Sequence, residues 1–331
     1  MTTDFLPIFD LHCDLLYYLA TVPGADSGNT EEIGCAWPHM LAGNVQWQTM
    51  AIYTPIGDES VTLGLEQAKI FDQLTRQDPW RRLSEKSPEG QEGKEGKVAM
   101  IASIENASGI CTEDEPLDNC WSHLEDLQNH TGPLFYISLT HHYENRFGGG
   151  NYADAGLKDD GKVLLDFLDQ KKIAVDLAHS SDALAFGIID HIEKRGLDIP
   201  IIASHSNFRP VCDHVRNLPD ELAKEIINRQ GLIGMNFLRD YVHDTKPEIL
   251  LDHIKYGWEL GATDHLAFGA DFFCVKNFPD PSRFPLFFPE LDNATHYGRV
   301  LKGLVGSGAD DQKVASLCNQ NALNFLRRMW K

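Results

Sequence analysis

Positive charge is scarce in this 331-residue chain: 29 Lys and Arg stand against 49 Asp and Glu, a formal charge of −20. Binding nucleic acid needs clustered cations to displace counterions, and docking on an anionic membrane needs basic patches, so neither partner is expected. Cysteine is sparse too. Cys13, Cys35, Cys111, Cys120, Cys212, Cys274 and Cys318 are odd in number, scattered, and form no Cys-x-x-Cys pair. That argues against a disulfide framework and suits thiols kept reduced in the cytoplasm. No run approaches the roughly 18 apolar residues of a membrane span. The opening MTTDFLPIFDLHCD has no basic stretch followed by an apolar one, and NFLRRMWK is not an apolar anchor tail, so neither a secretory signal nor a lipid anchor is expected. Gly148-Gly149-Gly150 lacks the flanking pattern of a phosphate loop and reads as a hinge, and no G-x-S-x-G elbow is present.

What the chain does contain is a long alternation of short apolar runs with amphipathic stretches. Runs at 8–13, 46–53, 98–104, 134–140, 173–178, 201–204, 232–237 and 266–270 read as strands, and 163–170, 182–193 and 219–228 are the clearest helices. Pro219 followed by Asp220 and Glu221 suits a first helical turn. Stretches 293–304 and 310–328 close the pattern. Eight strand–helix units predict an α/β fold, a closed parallel (β/α)8 TIM barrel formed by residues 1–331 as one domain. The polar, Gly-rich segment 83–97 interrupts the alternation and reads as a mobile surface loop.

Ionisable residues collect at the C-terminal ends of these runs: His12 and Asp14 on the first, Glu105 on the third, then His141, His179, His205, and Asp271 on the last. Barrel enzymes keep their active sites on that face. An imidazole and a carboxylate two residues apart along a strand project to the same side and suit one borderline metal ion. With Glu105, His179 and His205 the donors suffice for two ions, Glu105 sharing its oxygens between them. Each residue alone also fits a blander role: a buried histidine satisfied by hydrogen bonds, or a carboxylate capping the next segment. Asp271 reads as ligand, proton shuttle or helix cap. His141, beside His142, either orients a substrate or faces solvent. Arg216 either clamps a carboxylate or is a surface arginine ahead of a helix, and the residues alone favour the surface reading. Cys13 turns away from His12 and Asp14 and reads as core.

The segments DLHCDLL, IASIENASG, LTHHYENRFGGG, GLKDDGKVLLDFLDQKKIAVDLAHSS, IIASHSNFRPVCDHVRNLPDE, GMNF, DHLAFGADF and QNALNFLRR occur in this order between about residues 9 and 328. Together they resemble the renal or membrane dipeptidase family of zinc peptidases, peptidase family M19. The resemblance implies a barrel hydrolase that cleaves dipeptides with two Zn2+ ions, bridged by Glu105 and a water or hydroxide. By motif position His12, Asp14 and Glu105 hold one ion, and Glu105, His179 and His205 the other. His141 resembles the histidine at the scissile carbonyl, Arg216 the arginine that binds the substrate carboxylate, and Asp271 the acid/base aspartate. A homodimer is implied as well.

Three places depart from the family pattern: Asn106 where members commonly have Gly, Phe272-Phe273-Cys274 where they commonly continue Phe-Asp-Gly, and the loop from His142 to Gly150. All three leave the ligand set intact and bear on substrate identity. Two alternatives therefore stay open: an amidohydrolase acting on another amide or ester, and a catalytically silent metal-binding barrel.

Overall fold

Strands covered on both faces are buried along their length, and in the computed structural model of this protein the first of them, β1 (Ile8–Cys13), is buried at every position, Asp10 and His12 included. The structure describes residues 6–84, 96–169, 171–276 and 278–331. Eight further strands follow: β2 (Val45–Tyr53), β3 (Trp80–Arg82), β4 (Val98–Glu105), β5 (Leu134–Ser138), β6 (Ala174–Asp176), β7 (Ile201–Ala203), β8 (Leu232–Met235) and β9 (Leu266–Phe268). All neighbours pair in parallel, in the order β2-β1-β9-β8-β7-β6-β5-β4, and β2 pairs β4 from Trp47↔Ala99 to Tyr53↔Glu105 to close the ring. The result is an eight-stranded (β/α)8 barrel.

The short strand β3 is an addition to the expected eight. It lies along Val98–Met100 of β4, whose later residues pair β5, and it extends to Leu83, which is buried and donates its N–H to Met100 O at 2.7 Å. Most of the loop expected at 83–97 lies outside the described residues. Strands β5 to β9 end one or two residues before the apolar runs do, because the chain leaves the ladder there to aim its side chains into the barrel mouth. The stretch 310–328 is not one regular helix: a turn of π-helix, Ser316–Gln320, joins Asp311–Ala315 to Asn321–Met329.

Alternation along the strands sorts the core into two parts. Phe9, Leu11, Ala99, Ile101, Ala174 and Ile202 point into the barrel, while Ile8, Met100, Ile104 and Val175 face the helices outside. The barrel interior is closed from below by the C-terminal helix Asn321–Met329, which inserts Leu323, Phe325, Leu326 and Met329 among the inward side chains. Arg328 tethers that helix to Gln230 O (2.7 Å) and Asn321 tethers it to Leu266 O (2.8 Å), both at the strand starts. With one end filled by hydrocarbon, the opposite, C-terminal end is the end free to hold polar side chains. Among the described residues no helix is long and apolar enough to cross a membrane.

Candidate metal centre

Glu105 is the last residue of β4 and is 2% exposed. Around its carboxylate the ends of four other strands place their donors. Oε2 lies 3.4 Å from His12 Nε2, and Oε1 lies 2.9 Å from His179 Nε2, 3.6 Å from His205 Nε2 and 3.9 Å from His141 Nε2. His12 Nε2 is also 3.9 Å from Asp14 Oδ1 and 3.8 Å from Asp271 Oδ1. All seven residues that the strand ends suggested thus meet at one place, with the two oxygens of Glu105 divided between two sets of donors.

Three triads have ligand atoms within 4.8 Å of one another: His12, Glu105 and His205; His12, Asp14 and Asp271; His141, His142 and His179. These groupings cut across the division expected from the family resemblance. Asp271 joins the His12 side, and His179 stands nearer the pair His141–His142.

Buried hydroxyls orient the imidazoles. Tyr136 Oη donates to Leu11 O (2.9 Å), so its lone pair accepts the Nδ1–H of His12 (2.7 Å). Ser204 Oγ donates to Asp176 Oδ2 (2.7 Å) and accepts the Nδ1–H of His205 (2.7 Å). In the neutral rings these bonds favour the proton on Nδ1 and leave Nε2 its lone pair, the arrangement a metal ligand requires. His12 Nε2, His205 Nε2 and Asp14 Oδ1 are buried without a hydrogen-bond partner. Buried polar atoms seldom go unpaired, and three converging lone pairs fit a divalent cation.

The charges agree. Burial works against the Glu105 carboxylate, yet His12, His141 and Arg216 outweigh it and hold its pKa down to about 2. Asp14 is pushed well above its ordinary value by burial and by Glu105. Burial opposes a charged His12, but Tyr136, Glu105 and Asp14 raise its pKa well above normal. Burial, then neighbouring cationic groups, keep His141, His179 and His205 well below theirs. Carboxylates crowded in this buried space favour a positive charge among them, whether a bound cation or a proton shared with His12 and Asp14.

Arg216 is 3% exposed and lies inside the mouth, contrary to the surface reading. It donates to Ser206 Oγ (3.3 Å) and His205 O (3.2 Å) and lies 3.3 Å from His179 Nε2, its guanidinium 5.2 Å from the Tyr241 ring centre. Its Nε is buried and unpaired. Asp271 accepts from Asn236 Nδ2 at 2.9 Å, and burial lifts its pKa to about 6 against the pull of His12. Cys13 is buried against Met50 Sδ (3.5 Å), as expected of core.

The glycine triplet is packed in close, with no space for a side chain. A Cβ on Gly149 would fall 2.1 Å from Ala155 O, and one on Gly150 would fall 2.1 Å from His141 O. Only bare backbone fits, and it lays the loop after β5 against Ser180 and Ser181. That loop holds His142 by Nδ1 to Asn151 Oδ1 (3.0 Å) and stacks it on Tyr152.

Asn106 has φ +74°, which explains why glycine suits that position. Its side chain compensates by accepting from Ser108 N (3.2 Å) and Asn145 Nδ2 (2.9 Å) and donating to Thr54 O (2.8 Å). Tyr136, Asp176, Ser204 and Asn236 escaped the reading of the sequence. Their one visible signal is a polar side chain set into an otherwise apolar strand or directly against a strand end.

A closed parallel barrel carrying imidazoles and carboxylates at its C-terminal mouth defines a metal-dependent hydrolase. The relatives agree. The chain belongs to the membrane dipeptidase family, peptidase family M19, which it matches over residues 3–330, and this makes it a hydrolase of the metallo-dipeptidase class. It is 27% identical over 181 residues to the dipeptidase verJ of Clonostachys rogersoniana, a match covering 52% of this chain and 45% of that protein. An uncharacterized protein of Klebsiella pneumoniae from the pqqA 5′ region is 28% identical over 215 residues, 60% of this chain and 72% of its own length.

Among solved structures, a Rhodobacter sphaeroides metallopeptidase liganded with a phosphinate mimic of L-Ala-D-Ala superposes with TM-score 0.82. It is 20% identical, with coverage of 99% of this chain and 100% of that one. The probable dipeptidase PvdM of Pseudomonas aeruginosa gives TM-score 0.80 at 16% identity, over 99% and 96% of the two chains. At such identities the superpositions speak for the fold.

Proposed function

We propose that this protein is a dizinc dipeptidase that releases the C-terminal amino acid of its substrate. The observation that carries the reading is the split of the Glu105 carboxylate, Oε2 toward His12 and Oε1 toward His179 and His205. His12, Asp14 and Glu105 would hold one ion, and Glu105, His179 and His205 the other. When bound, the zinc pair would supply Lewis acidity and lower the pKa of the attacking water toward about 7.

The chain's own groups do the rest. Arg216, a buried cation with no carboxylate in ion-pair distance among the described residues, fixes the free carboxylate of the dipeptide. His141, kept neutral by burial, donates a hydrogen bond to the carbonyl oxygen as negative charge develops there. Asp271, poised near pH 6 and steadied by Asn236, takes a proton from the water and hands it to the leaving amine. The seven unpaired thiols support a reducing, cytoplasmic location.

Elemental analysis of zinc-supplemented protein, paired with a panel of dipeptides (L-Ala-D-Ala among them), N-acyl amino acids and cyclic amides, tests the reading. Two zinc ions per chain and hydrolysis of dipeptides in preference to the rest are expected. Absence of bound ion, or turnover confined to another amide class, overturns it. Asp271→Asn should retain both ions and lose roughly 10²–10⁴ in kcat, the range for a general acid–base group.

A further inference from the structure

Two aspartates outside the donor set are wholly buried, and each collects four hydrogen bonds. Asp10 Oδ1 accepts from His12 N (2.9 Å) and Gln48 Nε2 (2.9 Å), and its Oδ2 accepts from Ala270 N (2.9 Å) and Tyr297 Oη (2.6 Å). Asp176 Oδ1 accepts from Ala178 N (3.1 Å) and Ser204 N (2.8 Å), and its Oδ2 accepts from Ser138 Oγ (2.7 Å) and Ser204 Oγ (2.7 Å). Their backbone donors share a pattern. Asp10 grips His12 itself and the residue before Asp271. Asp176 grips the residue before His179 and the residue before His205. Each carboxylate therefore spans two neighbouring strands at the point where both turn donors into the mouth.

Those are also the points where the backbone departs from ordinary strand geometry. His179 and Asp271 each have φ +64°, a conformation L-residues seldom adopt without external support. The β1–β2 register shifts between Asp10 and Cys13, so ladder bonds do not fix His12 in the regular way. A carboxylate is suited to this task because it accepts only, offers two oxygens, and reaches N–H groups on two strands at once.

We propose that Asp10 and Asp176 are positioning residues, one for each half of the metal centre. Asp10 sets the His12–Asp271 half and Asp176 the His179–His205 half, the latter also orienting the His205 ring through Ser204. The inference rests on the two-ion reading and assigns each ion its own support.

Asp10→Asn and Asp176→Asn put an amide donor where the carboxylate received only donors. Zinc titration against a chromophoric chelator, with elemental analysis and thermal unfolding in parallel, reads the outcome. Wild type should bind two ions; if it does not, the functional reading fails rather than this one. Each variant should keep one ion at wild-type affinity and bind the other roughly 10–100-fold more weakly, the usual effect of losing such support. A His205→Ala background identifies which ion is affected. There Asp10→Asn should weaken the remaining ion and Asp176→Asn should leave it unchanged.

If an Asn variant does not fold, Tyr297→Phe (for Asp10) and Ser138→Ala (for Asp176) each delete one of the four bonds. They should produce the same selective loss in smaller measure. Equal weakening of both ions in step with lowered thermal stability, or undiminished binding of both, overturns the proposal.

Discussion

Arg216 is a guanidinium that faces the mouth with one nitrogen unpaired, and its value lies in what it waits for. Substituting it by Lys keeps the charge but discards the planar fork. Losing a charged hydrogen bond costs about 1.5–3 kcal/mol, a factor of roughly 10–150. For Arg216→Lys we expect that rise in KM for dipeptides with kcat little changed, measured by steady-state kinetics; a fall in kcat alone would move Arg216 out of substrate binding. At this scale the sequence was informative about donors, because His12, Asp14, Glu105, His141, His179, His205 and Asp271 each follow an apolar run. It was uninformative about what orients them. Asp176 and Ser204 look like ordinary interruptions of hydrophobic runs until their hydrogen bonds are seen, and Arg216 shows its burial only once the chain beyond β7 folds over the mouth.

Elements here are shaped by what they must bring together. Gly150 allows the loop after β5 to pass directly over His141 O, so Gly150→Ala forces the two backbones apart. Overpacking of this kind costs about 1–3 kcal/mol. Lowered thermal stability together with reduced turnover is expected, since the shift is transmitted to His141; a variant with wild-type kinetics would show that the loop is not coupled to the site. At the other end of the barrel the C-terminal helix acts as a plug. Leu326→Ala should destabilise the fold by about 2–5 kcal/mol in denaturant titration while leaving ion content unchanged. The strands were legible as apolar runs, but β3 was not, because three residues of which one is buried carry too little pattern.

Across the whole molecule the centre couples folding to metal and to pH. The proposed ligands come from β1, β4, β6 and β7 or the residues just past them, so bound cations would tie together half of the ring. A cation that binds only the folded state at 100 times its Kd adds about 2.7 kcal/mol. Thermal unfolding should therefore shift downward when a strong chelator strips the protein, and recover when zinc is returned. The pH dependence has a definite sign. His12 and Asp14 hold protons more tightly than usual, and a metal must displace those protons to bind. Zinc affinity should rise from about pH 6 to about pH 8 and keep rising past the ordinary histidine pKa of about 6.5, because His12 holds its proton beyond that value. Flat affinity over that interval would mean His12 is not a ligand.

Local chemistry, written residue by residue, was enough to establish a barrel of apolar strands and to mark donors at their ends, since burial of a strand and its period of two are properties of a short segment. Three matters were out of its reach: which donors share a sphere, which way each imidazole carries its proton, and which buried carboxylates hold the strained turns in place. All three depend on distances between side chains far apart in the chain, such as His12 and Tyr136 or Asp10 and Tyr297, and such distances exist only once the ring of strands has closed.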